Sequence, residues 1–322
     1  MTTVAVLDDY QRRAPGFADW NGLGVDIEVA FFAEPISQAQ LARALAEFDV
    51  LVVMRERTRL GRDVLEQLPR LKLLVTTGMR NASVDIAYLH ERGVTVCGTE
   101  GTAGPRPAGI PSTAEVAWAL ILAVAKRVTV EDRALRAGAW QIGIPTNLAG
   151  ATLGLAGLGN LGAAMVGPAG AFGMDVMAWS QNLSQERADA VGVRRVSQDE
   201  LLATSDFLSI HLALSDRTRG LFGARELARM KASAAMINTS RGPIVDAAAL
   251  VAALRAGTIS AAGLDVYDQE PLPVGDELTM LENVVLLPHL GYVSEPGLRH
   301  MYEQVVQDIA AFITGAPIRL IA

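Results

Sequence analysis

Apolar residues in this chain fall into short, nearly continuous runs, separated by stretches in which they recur at helical spacing. Runs at 4–7, 26–31, 50–53, 71–75 and 94–96 are rich in Val, Ile and Leu and predict strands buried on both faces. Helical patterns at 38–46, 61–67 and 83–91 lie between the later runs. Such alternation predicts a parallel sheet covered by helices. Residues 101–111 concentrate Gly and Pro and predict a connection between domains, not a regular element. Ser112, with Glu115 three residues on, has the sequence form of a capping box for an apolar helix. A second alternating series then predicts strands at 152–156, 175–179, 207–210, 235–238, 261–264 and 284–286. A last helix over 296–314 stops at Gly315 and Pro317. The fold class is α/β, with two doubly wound parallel-sheet domains.

Composition narrows the partners. A chain of 322 residues is long enough for two cores. A formal charge of -7 argues against a surface for nucleic-acid phosphates. The most apolar stretch, 116–125, is about half the length needed to span a bilayer, so no membrane partner is expected. Asp8 and Asp9 precede any long apolar run, which argues against a secretory signal. The single Cys97 fits a core position in a protein of the reducing cytoplasm. No His/Cys/Asp cluster has ligand spacing, so no metal is expected. His90 and His300, in polar helical contexts, are expected at the surface.

The strand at 152–156 runs into Gly157-Leu158-Gly159-Asn160-Leu161-Gly162, and a helix can open there. In this context the glycines have separate tasks. Gly157 allows a tight turn, Gly159 lets the backbone approach a diphosphate, and Gly162 permits close helix–strand packing. Asn160 and Leu161 supply further loop contacts to a nicotinamide dinucleotide. The next strand ends in Ser180, where dinucleotide sites usually carry an acid for the ribose hydroxyls. Arg187, Arg194 and Arg195 are the nearest cations, and NAD and NADP both stay open.

Three further segments place polar residues after predicted strands, where open α/β sheets bind ligands. They carry Arg241, Asp265 with Glu270, and His289. Arginine offers a planar charged fork to a carboxylate, and a His paired with Glu can carry a proton near neutral pH. Taken with Thr77-Gly78-Met79-Arg80 and His211-Leu212-Ala213-Leu214, these segments resemble the D-isomer-specific 2-hydroxyacid dehydrogenase family over nearly the whole chain. The resemblance implies a flavodoxin-like substrate domain over 1–101 plus 290–322 and a Rossmann NAD(P)-binding domain over 102–289. It implies hydride transfer between nicotinamide and C2 of a small 2-oxo or 2-hydroxy acid. Arg241 then binds the substrate, His289 is the acid/base, and Glu270 hydrogen-bonds His289. Asp265 meets the nicotinamide amide, His211 lines the adenosine side, and the backbone of Met79 and Arg80 receives the carboxylate. A homodimer built partly from helices of the nucleotide domain is also implied.

Two features bear on substrate. The connection over 101–112 is about six residues longer than family members commonly show, and it brings Arg106 near the hinge. Arg55, Arg57 and Arg80 form a cationic rim suited to a second acidic group, with surface pairing to residues such as Glu56 the equally open reading. The same fold also serves dinucleotide-sensing co-repressors and formate or phosphite dehydrogenases, which are the alternative functions.

Overall fold

The computed structural model describes residues 1–101 and 110–322, so the expectations for Arg106 and most of the 101–112 connection lie outside the described residues. Two compact units are present: Met1–Pro107 with Ser294–Ala322, and Ala108–Val293.

The first unit holds strands β1 (Thr2–Val6), β2 (Ile27–Phe31), β3 (Val50–Val53), β4 (Leu73–Thr76) and β5 (Thr95–Gly98), all parallel in the order β2-β1-β3-β4-β5. That is the flavodoxin-like order. Alternate residues feed opposite faces: Ala5, Leu51, Val53, Leu74 and Val96 pack with Leu41, Leu45, Leu65 and Leu89 of the helical layer. The helix Glu295–Ile313 packs on β4 and β5. It begins one residue earlier than expected because the Ser294 hydroxyl accepts the Gly297 N–H and caps it. Beyond it, Leu320 makes an antiparallel bridge to Cys97, which is fully buried.

Asp49 ties this sheet together at its N-terminal edge. Its carboxylate accepts from the Thr3 N–H at 3.0 Å and from Arg70 at 2.9 Å, and Lys72 lies 3.1 Å away. Burial alone would raise its pKa, but the Thr3 N–H, Lys72, the Thr3 hydroxyl and Arg70 outweigh it and hold the group at about 2, against an ordinary 3.8. The folded value lies below the unfolded one. The stabilisation is therefore present above the unfolded value and is lost as pH falls through the folded one. Arg70 and Lys72 are themselves solvent-exposed, so screening trims the contribution to about 1–2 kcal/mol. Asp49→Asn should lose about that much at pH 7 and much less near pH 2–3, as read by urea unfolding. Equal stability of variant and parent at pH 7 would contradict this account.

The second unit holds β6 (Thr152–Ala156), β7 (Asp175–Trp179), β8 (Arg194–Arg195), β9 (Phe207–Ile210), β10 (Ala235–Asn238), β11 (Ala261–Leu264) and β12 (Val284–Leu286). All are parallel in the order β12-β11-β10-β9-β6-β7-β8, the Rossmann arrangement extended by an edge strand. Leu153, Leu155, Phe207, Ala235 and Ile237 face a core with Ala117, Leu120 and Ile121 of the helix Ser112–Ala125. Their neighbours Ala156, Leu208, Ile210, Met236 and Leu264 face the opposite core. The strands thus read as continuous apolar runs because both faces are covered.

Two local expectations are corrected. Ser112 is the first helical residue; Pro111 occupies the cap and no side chain caps the helix, so the capping box does not form. His300 is half-buried, with its Nε2 beside the Gln304 amide, because the helix Glu295–Ile313 turns this face inward. No helix among the described residues is long and apolar enough to cross a membrane.

Candidate active site

In the second unit, β6 ends directly in the glycine loop. Gly157 has φ +103, and a Cβ there would lie 2.6 Å from the His211 carbonyl oxygen. A Cβ on Gly162 would lie 2.2 Å from the Gly157 carbonyl oxygen. Both positions therefore admit only glycine without backbone movement. A Cβ on Gly159 would meet nothing within 4 Å, so this glycine faces open space, as an approach path for a diphosphate requires. Asn160 and Leu161 begin the helix Asn160–Ala164, which presents its first backbone N–H groups at the loop. The residues present therefore fit a dinucleotide diphosphate.

Ser180 follows β7 and is half-buried. Arg187, held in a helix capped by Ser184, donates from Nε to the Leu158 carbonyl at 2.9 Å, which fixes a guanidinium on the glycine loop. Arg194 pairs with Glu200, whereas Arg195 lies opposite Ala178, two residues before Ser180. His211 follows β9 and lies beside Gly157 and Gly162. Its Nε2 is 2.9 Å from the Ser209 hydroxyl, and burial depresses its pKa to about 4, so the ring is neutral at pH 7. Its buried Nδ1 has no hydrogen-bond partner among the described residues.

Arg241, Asp265 and His289 follow the C-terminal ends of β10, β11 and β12, and Glu270 lies a few residues beyond Asp265. Asn238 shapes the turn at Arg241: its amide donates to the Arg241 carbonyl at 3.0 Å and its Oδ1 accepts the Ser240 N–H at 3.0 Å. A Cβ on Gly242 would lie 2.1 Å from the Tyr267 carbonyl carbon, so the two loops pack backbone to backbone. Glu270 uses both oxygens. Oε1 accepts the Tyr267 N–H at 2.9 Å, and Oε2 lies 2.6 Å from His289 Nδ1. An ionised carboxylate has no proton to give, so Nδ1–H donates to Glu270 and Nε2 is the ring atom left for proton exchange.

Sequence reading missed three contacts here. The Tyr292 ring packs edge-on to His289 with centroids 5.4 Å apart. Thr113 donates to the Gly291 carbonyl at 2.7 Å. Asp265 accepts the N–H groups of both Leu290 and Gly291. Burial raises the Asp265 pKa against the opposing pull of those two N–H groups. No group of three His, Cys, Asp or Glu among the described residues could hold a metal ion.

The first unit brings its own expected residues together at the C-terminal edge of its sheet. Arg55 has φ +51, its N–H donates to the Thr77 hydroxyl at 3.0 Å, and its carbonyl accepts from Asn81 at 2.6 Å. A Cβ on Gly78 would lie 3.1 Å from the Arg55 guanidinium, so Arg55 borders the loop carrying Met79 and Arg80, both exposed. Arg57 stacks over Tyr10 at 4.7 Å and donates to the Asp8 carbonyl at 3.0 Å. Asp8 and Tyr10 were not legible as partners of this rim from sequence.

Comparison with known proteins adds an independent line. Residues 118–291 match the family model described as D-isomer specific 2-hydroxyacid dehydrogenase, NAD binding domain. A glyoxylate reductase of Thermococcus litoralis is 36% identical over 284 residues, covering 85% of this chain and 83% of the relative. The crystal structure of a phosphoglycerate oxidoreductase from Vibrio cholerae superposes with TM-score 0.90 at 33% identity, covering 98% of this chain and 100% of that one. That of D-lactate dehydrogenase from Aquifex aeolicus, complexed with NAD and lactic acid, gives TM-score 0.76 at 27% identity over 97% and 96% of the two chains.

Proposed function

The chain belongs to the D-isomer specific 2-hydroxyacid dehydrogenase family, and from that premise we propose that it reduces small 2-oxo acids with a nicotinamide dinucleotide, His289 serving as the proton donor. The carrying observation is the His289–Glu270 pair at 2.6 Å, which leaves Nε2 free to serve a substrate carbonyl. Bound dinucleotide supplies the hydride that C2 receives. The protein supplies the rest. Gly157, Gly159, Asn160, Leu161 and Gly162 hold the diphosphate. The Arg241 guanidinium takes the substrate carboxylate and polarises the carbonyl, and His289 delivers the proton to the oxygen as it gains charge. In the first unit, we assign carboxylate recognition to the backbone of Met79 and Arg80, with Arg55 beside Gly78 adding positive charge.

Three finer readings follow. For the cofactor, the family model supports NAD(H), and the neutral Ser180 supports acceptance of NADP(H) as well, because no carboxylate there repels a 2′-phosphate. For assembly, we read a homodimer through the helix Val128–Arg136 and the segment after it, which expose Leu135, Trp140 (76%) and Ile144 (92%). A sedimentation mass of one chain would set that aside. For substrate, the rim of Arg55, Arg57 and Arg80 suits a dianionic 2-oxo acid.

Assays of NADH and NADPH consumption with glyoxylate, hydroxypyruvate, phosphohydroxypyruvate and oxaloacetate test all but the assembly. Turnover with at least one acid is expected, and none with any of them contradicts the function. Equal preference for monoanionic and dianionic acids would dispose of the rim. Ser180→Asp should lower the NADPH-to-NADH ratio of kcat/KM by about tenfold or more, from like-charge repulsion at the 2′-phosphate. An unchanged ratio would remove Ser180 from cofactor choice.

A further inference from the structure

His289 has φ +54, the left-handed region that a residue with a Cβ occupies only when its surroundings enforce it. The enforcing groups lie just beyond it in the chain. The N–H groups of Leu290 and Gly291 both donate to one carboxylate, Asp265, at 2.7 and 2.8 Å. Asp265 is fully buried at the end of β11, and its own N–H is fixed on the Asn238 carbonyl at 2.9 Å. From the opposite side, Thr113 in the first turn of the helix Ser112–Ala125 donates its hydroxyl to the Gly291 carbonyl at 2.7 Å. A Cβ on Gly291 would lie 3.1 Å from both Asp265 Oδ2 and Thr113 Cγ2, so the backbone there is gripped between the two side chains.

We propose that Asp265 and Thr113 are positioning residues, a two-sided clamp on the backbone of Leu290 and Gly291 that holds His289 in its left-handed conformation and aims Nδ1 at Glu270. This gives Asp265 work apart from the nicotinamide amide, since each of its oxygens already accepts a backbone N–H. It also explains why a carboxylate is needed. An Asn side chain would accept one N–H and turn a donor toward the other. The clamp rests on the reading of His289 as the proton donor, because only then does its aim matter to turnover.

The test compares Asp265→Asn, Thr113→Val and Thr113→Ser with the parent enzyme. Three quantities are read: kcat with the preferred 2-oxo acid, NADH affinity by fluorescence titration, and the proton resonance of the His289 Nδ1–H, assigned by its absence in His289→Gln. Misaiming a reacting group costs up to about 10²-fold, so kcat should fall by about that in Asp265→Asn and by about tenfold in Thr113→Val. NADH affinity should stay within about threefold of the parent in both Thr113 variants, which touch the Gly291 carbonyl and no cofactor group. The Nδ1–H resonance should move or broaden in both variants, and Thr113→Ser should restore parental values. NADH binding weakened by about tenfold or more in Asp265→Asn, with the resonance unmoved, would overturn the clamp and make Asp265 a cofactor ligand only. Parental kcat and resonance in Thr113→Val would also overturn it, and that variant decides the matter if Asp265→Asn does not fold. If the parent turns over no 2-oxo acid, the functional reading fails while the resonance still decides the clamp.

Discussion

His289→Gln should lower turnover by about 10²–10⁴-fold while NADH affinity stays within about threefold of the parent. The size follows from what is removed. Gln can fill the space and hydrogen-bond Glu270, but it has no group that releases a proton near pH 7. The alkoxide forming at C2 would then have to take its proton from water. Binding should survive because the diphosphate loop lies on β6 and its following helix, whereas His289 follows β12. Only one atom of this ring can serve, since Glu270 occupies Nδ1 at 2.6 Å. Near-parental turnover in His289→Gln would remove His289 from the chemistry, and a large loss of NADH affinity would make it a binding residue.

Gly162→Ala should weaken NADH by about 10²-fold, through displacement of the backbone that forms the site. The added methyl would sit 2.2 Å from the Gly157 carbonyl oxygen and 3.1 Å from the Gly157 carbonyl carbon. Neither is the end of a flexible side chain. The turn and the helix must move apart, and Gly157, with φ +103 and the His211 carbonyl against it, has little room to yield. Gly159→Ala supplies the contrast. Its Cβ meets no protein atom within 4 Å, so the melting temperature should not change, yet NADH should weaken because the methyl stands where the diphosphate approaches. Gly162→Ala should lower both melting temperature and affinity. Parental NADH affinity in both variants would remove this loop from cofactor binding.

Legibility of the fold followed burial. In the second unit, six strands were readable to the residue because parallel strands covered on both faces appear as uninterrupted apolar runs between polar breaks. The seventh, Arg194–Arg195, was missed: it is a two-residue, charged edge strand with no apolar signature. In the first unit, the helix expected from residue 83 starts at Ile86, because the Asp85 carboxylate accepts the Tyr88 N–H and sets the cap there. Ser112 and Glu115 had the right spacing for a capping box, but Pro111 holds the cap position.

The candidate site divides in the same way. Arg241, Asp265 and His289 were legible because each follows a strand, the place where such sheets put their ligands. Thr113 was not. It is 178 residues from Gly291, and a lone Thr in a helical first turn carries no signal of a partner so distant in sequence. The left-handed backbone at His289 was equally hidden, since sequence patterns point to φ above zero mainly at Gly and Asn.

Deuterium followed from cofactor to product reports the hydride transfer itself. The purified chain is supplied with NADH or NADPH deuterated at the transferring C4 position and with the 2-oxo acid it turns over best, and the 2-hydroxy acid is analysed by mass spectrometry and NMR. Hydride transfer assisted by His289 places one deuterium on C2 of a D-configured product in the parent enzyme, with the rate of labelling collapsing in His289→Gln. Dinucleotide oxidation without label at C2, or labelling at an undiminished rate in His289→Gln, would contradict it.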